Sequence, residues 1–318
     1  MSLRSSAARG PLPLTLGDIG DVNRVFSDAF TDRYHRDGMT GVRVPELNPT
    51  IWKYAIGTAG DGAMLWRDSG GVAGFNLVHH NGVEGWMGPL AVRPDCQGAG
   101  LGRAMVTAGV ELLQQKGCRT IGLETMPRTI GNIGFYSRLG FRPGHLTISV
   151  GRELNGGDAW TPLELASTLG APEVWLEQAH RLTDQLLLGL DFRKEMAMTA
   201  AQALGDVTVL RTGDRWRGLA LWHGAPLSAG RPVSELRVLK IAAVDLAGFR
   251  QVVIGVLAEA ERRRVPKVSI RCQTAFRQVY TELIGMGFQV QWTDLRMVLG
   301  GHEEQALTGG VLLSNWEI

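Results

Sequence analysis

Residues 84–103 read EGWMGPLAVRPDCQGAGLGR, and the fold of the whole chain turns on how this stretch is read. An apolar strand runs into a turn rich in glycine, Gln97-Gly98-Ala99-Gly100-Leu101-Gly102, and the turn opens a helix. Glycine adopts dihedrals closed to other residues and lets the backbone come close to a ligand. The first turn of a helix offers unpaired N–H groups and the positive end of the helix dipole, which together make an anion site. The stretch therefore predicts a site for a phosphate-bearing ligand. Two common phosphate loops do not fit it. A P-loop requires Lys-Ser/Thr after its last glycine, where this chain has Arg103-Ala104. A dinucleotide loop requires a further glycine or alanine three positions after its second glycine, and that position is Arg103.

The spacing Gln-x-x-Gly-x-Gly, preceded by Leu90-Ala91-Val92-Arg93-Pro94, resembles the pyrophosphate loop of the GNAT acetyltransferase superfamily. A second element follows at a suitable distance. Asn132-Ile133-Gly134-Phe135-Tyr136-Ser137-Arg138-Leu139-Gly140-Phe141 is similar to the Asn-x-x-x-Tyr-x-x-x-Gly-Phe helix of that superfamily. The resemblance implies acetyl-CoA as co-substrate, with direct attack of an amine on the thioester. It implies that Gln97, Gly98, Ala99, Gly100, Leu101, Gly102 and Arg103 hold the pyrophosphate, and that Asn132 and Tyr136 also contact the cofactor. It further implies that Tyr136 protonates the departing thiolate. Pro89 is awkward in a central strand because it cannot donate to a ladder, and a bulge or splay resolves the conflict; a plain edge strand is the alternative. The resemblance favours the splay, with the main chain of Leu90, Ala91 and Val92 facing pantetheine.

The general base stays open at this point. Glu84 shares parity with Leu90 and Val92 and projects to their face in a regular strand, although a bulge at Pro89 would reverse that relation. Glu124 lies on the neighbouring strand and is the preferred choice; His79 and His80 lie on the preceding one. Each can relay a proton, or be an ordinary solvated or ion-paired side chain. Cys96 precedes the helix end, where a thiol pKa can fall, but an acyl-cysteine route needs a base that nothing in the sequence places, so it reads as a loop residue.

Composition bounds the alternatives. The chain has 318 residues, 44% hydrophobic and 20% charged, enough for two cores. Lys and Arg nearly balance Asp and Glu, leaving a net charge of +2, which argues against a broad nucleic-acid or anionic-membrane surface. Cys96, Cys118 and Cys272 share no metal-ligand spacing, so the expectation is reduced thiols, no metal and a cytoplasmic protein. No apolar run reaches a membrane span, and the N-terminus lacks the apolar core of a signal peptide. The expected partner is a small-molecule or peptide amine, and the expected state a monomer or homodimer.

In chain order, residues 13–16 read as a first strand, followed by a helix capped by Asp18. Residues 33–49 read either as the second helix and substrate loop that the resemblance implies or as a simple connection. A hairpin turning at residues 68–71 and a second turn at Asn81-Gly82 lead into the 84–92 strand. A helix over residues 101–116, a strand over 120–125, a helix over 132–139 and a strand over 145–150 follow. After an Asn155-Gly156-Gly157-Asp158 linker, helices over residues 171–190 and 192–204 precede strands at 207–211, 219–223 and 235–244. The ending of the first half then recurs, with a helix from Leu246, a strand over 267–272 and Gly287-Phe288 in place of Gly140-Phe141. The fold expected is a mixed α/β arrangement of two tandem GNAT-type domains, residues 1–154 and 155–318, each a mostly antiparallel sheet with a central splayed parallel pair flanked by helices.

The second copy departs where the chemistry lies. Its loop, Ala243-Val244-Asp245-Leu246-Ala247-Gly248, keeps one glycine, and Val279 and Leu283 stand where Asn132 and Tyr136 stood. The arginines at 262–264 read as a solvated helix end. The apolar ending at 311–316 reads as an edge strand or, as in some tandem relatives, a segment near the first site. A non-catalytic acyl-CoA sensor or scaffold is the competing functional class. A mycothiol-synthase-like tandem would put the working site in the second copy, against the distribution of the intact loop. The expectation is one acetyl-CoA bound per chain, measurable as calorimetric stoichiometry; two sites per chain would refute it.

Overall fold

The computed structural model describes residues 8–156 and 160–315. Gly157 and Asp158 of the expected linker, Trp316 of the tail and residues 1–7 lie outside the described residues. The first half runs β1 (Arg9–Pro13), α1 (Ile19–Arg36), α2 (Pro49–Ala59), β2 (Ala63–Asp68), β3 (Gly71–Asn81), β4 (Glu84–Val92), α3 (Leu101–Gln115), β5 (Thr120–Thr125), α4 (Ile130–Ser137) and β6 (Phe141–Glu153). The second half runs β7 (Glu164–Leu165), α5 (Pro172–Leu186), α6 (Arg193–Ala201), β8 (Gly205–Thr212), β9 (Arg215–His223), β10 (Leu236–Ala243), α7 (Leu246–Arg262), β11 (Lys267–Gln273), α8 (Arg277–Gly285), β12 (Gln289–Leu299) and β13 (Val311–Ser314).

Among the described residues these strands form one continuous sheet in the order β1-β2-β3-β4-β5-β12-β6-β11-β10-β9-β8-β7, with β13 laid against β10. The expected mixed sheet is present. Its ladders are antiparallel except for β4–β5 and β10–β11, which run parallel. A parallel pair needs a crossover connection, and α3 and α7 supply it.

The β4–β5 pair is splayed. Glu84 to Met87 face Thr120 to Leu123, and the pairing ends there. On the other side β3 pairs Val78 with Met87 but Asn76 with Leu90, so Gly88 and Pro89 bulge opposite one residue. Pro89 thus sits where no ladder donor is required. The bulge also leaves Leu90, Ala91 and Val92 paired to β3 alone.

The two halves are joined through the middle of the sheet. The last strand of the first half, β6, lies between β11 and β12. The corresponding strand of the second half, β12, lies between β5 and β6. Each half therefore completes the other's sheet. The core follows suit: Tyr54 and Trp86 of the first half are buried in one cluster with Trp175, Phe192 and Leu221 of the second.

Three local expectations shift. The first strand lies earlier, at Arg9–Pro13, because Thr15 and Asp18 cap each other's turn, Thr15 N and Oγ1 donating to Asp18 Oδ2 at 2.8 and 2.7 Å. Asp18 also pairs with Arg67 and makes no side-chain cap on α1. Helix α2 is absent from the sequence reading although Asn48-Pro49 is a proper start: Asn48 accepts from Thr50 N at 3.1 Å and Pro49 occupies the first helical position. The helix expected over residues 171–190 ends at Leu186 as α5, its buried face carrying Trp175 while Val174 is turned out to solvent.

Because neither half's sheet is complete alone, thermal unfolding of the full chain is expected as one cooperative transition, with far-UV dichroism and tryptophan fluorescence coinciding. Two resolved transitions would show that the halves unfold independently.

Candidate active site

The glycine loop shapes an open helix end. Gly98 and Gly100 take φ of +81° and +87°, a region costly for other residues. Gly100 stands at the N-cap of α3 and has no side chain to satisfy the first-turn N–H groups, and no acidic residue lies in that turn. Gln97 ties the loop down, donating to Val92 O at 3.1 Å and accepting from Arg36 of α1 at 3.1 Å. Gly102 packs against Phe135 of α4, where a Cβ would stand at contact distance, 3.4 Å from the ring. Gly98, Ala99 and Arg103 are exposed and Leu101 half-buried.

Beside this loop lies a cleft of ≈ 570 Å³. One wall is the unladdered edge of Leu90, Ala91 and Val92; the other is α4, with Asn132 and Tyr136. Tyr136 packs between Phe135 and Phe141, at centroid distances of 5.1 and 6.1 Å. Burial among these rings pushes its phenol up to about 12, so it holds its proton at neutral pH. Residues 33–49 form neither a plain connection nor a second helix: α1 continues to Arg36, and Val44 and Leu47 of the following loop line the cleft.

The expected bases are distributed differently. Glu84 lies at the start of β4, before the splay, buried and outside the cleft lining, and burial raises its pKa. His79 and His80 also lie outside the lining; burial lowers His79 to about 3, leaving it neutral. Cys96 donates to Asp68 at 3.4 Å, and burial with that contact raises its thiol to about 11, far from a thiolate nucleophile. Glu124 does reach the cleft. Burial would raise its pKa, but Arg271 and Arg296 outweigh burial and hold it down, with Thr147 donating at 2.6 Å. A carboxylate so held is a weak proton acceptor.

The second half contributes Leu227, Trp292 and Asp294 to the same cleft. Asp294 stands on β12, which the exchange places beside β5. Burial raises its pKa; Arg271, 3.0 Å from Oδ2, opposes this, and Glu124 reinforces it. Arg296 lies 3.3 Å from Glu124 and 2.9 Å from Glu304, with its guanidinium 3.9 Å from the ring centre of Trp86. Charged groups from β5, β11 and β12 thus meet where the halves join. Sequence reading missed Asp294 and Trp292 because nothing in the pattern of β12 says which sheet it enters.

The counterpart site in the second half is closed by its own chain. Asp245 caps α7, accepting from Gly248 N at 2.6 Å, where α3 is left open. Strand β10 leaves β11 after Val238, and β13 fills the gap, Lys240 to Ala243 pairing with Ser314 to Val311. The tail is therefore seated in the second half rather than beside the first site. Val279 and Leu283 are buried in the core. Among the described residues no His/Cys/Asp/Glu group has metal-holding geometry, and no helix is long and apolar enough to cross a membrane.

Comparison with known proteins gives a consistent picture. Residues 24–141 match the family model described as Acetyltransferase (GNAT) family. Over 127 residues the chain is 34% identical to Serotonin N-acetyltransferase 2, chloroplastic, of Oryza sativa subsp. japonica, covering 39% of this chain and 56% of that protein. It thus spans a little over half the length of that curated relative. A solved structure from Pyrococcus horikoshii superposes with a TM-score of 0.67 at 14% identity, covering 97% of this chain and 95% of the other. A tandem GNAT protein from the clavulanic acid biosynthesis pathway gives 0.56 at 14% identity, covering 92% and 99%. These structural likenesses establish the fold.

Glu124→Gln, which leaves two buried guanidiniums short of a counter-charge, is expected to cost about 3–5 kcal/mol at pH 7 by urea unfolding. A carboxylate with a depressed folded pKa stabilises above its unfolded value and loses that contribution as pH falls through the folded one. The variant should therefore show a flatter loss of stability below about pH 4.5; an unchanged acid limb would contradict the assignment.

Proposed function

With a GNAT-family acetyltransferase domain as its first half, we propose that this chain transfers the acetyl group of acetyl-CoA to the amine nitrogen of an acceptor. The GNAT family generally uses acetyl-CoA. The observation that carries the proposal is one juxtaposition: an unladdered strand edge, an uncapped helix end and a protonated tyrosine around a single cleft. The main chain of Leu90, Ala91 and Val92 would meet the pantetheine amides. Gln97, Gly98, Ala99, Gly100, Leu101, Gly102 and Arg103 would hold the pyrophosphate, the anion facing the N–H groups of α3 and the side of Arg36. Asn132, which donates to Thr125 Oγ1 at 3.4 Å, would help hold the arm of the cofactor.

Bound acetyl-CoA supplies an activated acyl carbon. Tyr136 gives its proton to the sulfur as the carbon–sulfur bond breaks, so the thiol leaves neutral. Its apolar surroundings keep that proton in place until the sulfur becomes basic. Glu124 serves as a fixed negative charge at the far end of the cleft, and Glu84 takes no direct part in the transfer. The cleft is then graded in charge, cationic at the loop and anionic at the acceptor end. In this reading residues 1–154 carry the cofactor and residues 155–318 close the acceptor side.

Titration with acetyl-CoA and thiol release with a panel of amines test the proposal together. Tyr136→Phe is expected to bind acetyl-CoA with unchanged affinity and to lower kcat by about a hundredfold or more. Binding without thiol release across the panel would point instead to a non-catalytic acyl-CoA carrier, and absence of binding would remove both.

A further inference from the structure

We infer that the acceptor is a small primary amine with an aromatic-sized apolar body, bound as its ammonium ion, and that the second half selects it through Asp294 and Trp292. This rests on the acetyl transfer proposed above and names its acceptor.

Asp294 is 3% exposed, yet it lines the cleft, and the Arg271 nitrogen 3.0 Å from its Oδ2 is shared with Glu124. Its Oδ1 accepts from Trp292 Nε1 at 3.3 Å. The charged groups facing it are Arg271 from β11 and Glu124 from β5, with Arg296 and Glu304 one contact further on. With Asp294 ionised the carboxylates of this cluster outnumber the guanidiniums by one. An isolated buried charge of that kind is costly, and a cationic acceptor removes the imbalance. A buried carboxylate that shares its guanidinium with a second carboxylate, beside the acyl site, is therefore suited to an ammonium group.

The walls describe the rest of the acceptor. Trp292 and Tyr34 pack against each other in the cleft lining, with ring centroids 6.4 Å apart and planes at 54°. Phe26, Phe30, Leu47 and Leu227 add apolar surface to the same lining. A hydroxyl or carboxyl group set against these four side chains would be desolvated at a cost. A volume of ≈ 570 Å³ must hold the thioester arm as well, which favours a small molecule over a peptide.

The proton balance closes. The ammonium gives one proton to the Asp294 carboxylate, and the free amine attacks the thioester carbonyl carbon. The carbon–nitrogen bond forms, the carbon–sulfur bond breaks, and Tyr136 protonates the sulfur. The second proton lost by nitrogen restores Tyr136, and Asp294 releases its proton to water. One ammonium and one thioester thus become one amide, one thiol and one proton.

The test uses the full chain with acetyl-CoA and three amines: 2-phenylethylamine, ethanolamine and glutamate. The wild type is expected to prefer 2-phenylethylamine by about a hundredfold in kcat/KM. Asp294→Asn should lower that kcat/KM about a hundredfold or more and abolish the acid limb of its pH profile. Trp292→Ala should raise KM for 2-phenylethylamine about tenfold, with Trp292→Phe restoring it, and should leave acetyl-CoA affinity unchanged. Because Asp294→Asn can disturb folding, the tryptophan pair gives an independent reading. Intact acetyl-CoA binding with no preference for the aryl amine, or an Asp294→Asn enzyme keeping the wild-type pH profile, overturns this inference alone. A wild type that does not bind acetyl-CoA overturns the underlying reaction and this acceptor assignment with it.

Discussion

Two strands, β6 and β12, lie side by side at the centre of the sheet, and each is hydrogen-bonded to strands of the other half, β6 to β11 and β12 and β12 to β5 and β6. That reciprocal placement is the constraint on which the rest of the molecule depends. It brings Trp292 and Asp294, far away in sequence, to a cleft framed by β4 and α4. It also buries Glu124, Arg271, Asp294 and Arg296 at the seam. Buried ion pairs are weak evidence for stability but costly to leave incomplete. A one-residue slip of β12 would turn Asp294 and Arg296 to the opposite face, away from Glu124 and Arg271. The cluster therefore works as a register lock for the exchange, in addition to setting the charge at the end of the cleft.

The first cleft has a direction. At the glycine loop the field is positive, from the α3 terminus, with Arg36 paired to Asp32 beside it; at the seam it is negative, from Asp294 and the constrained Glu124. A ligand with an anionic head and an acceptor with a cationic one would approach from opposite ends, their reactive groups meeting beside Tyr136. The asymmetry of the two copies deepens the point. Where α3 is uncapped, α7 is capped by Asp245; where the β4 edge is open, the β10 edge is paired.

Much of the first half was legible because its signals are local. Gly98 and Gly100 need their backbone conformations whatever surrounds them, and Pro89 announces a broken ladder in any sheet. Helical spacing placed α3, and the turn at Asn81-Gly82 placed the start of β4. Asn48-Pro49 was equally local and passed unread. The acceptor side was illegible for a different reason. Glu84 and Leu90 share parity, but the bulge at Gly88 and Pro89 breaks the phase between them. Glu124 was located but not its two guanidiniums, which come from β11 and β12 across the seam. Strand order, unlike strand position, is a tertiary property, and Asp294 could be assigned only once it was known.

The strand β13 has a thermodynamic consequence. It lies along the part of β10 that diverges from β11, with Leu313 buried and Gln273 donating to Ser314 O at 3.0 Å. Because it is tethered to the same chain, its local concentration is on the order of millimolar or more. A free molecule entering that groove would compete with a resident that never diffuses away. The second half is thus a holoprotein whose ligand is part of its own polypeptide, and linkage converts occupancy of the groove into stability of the fold.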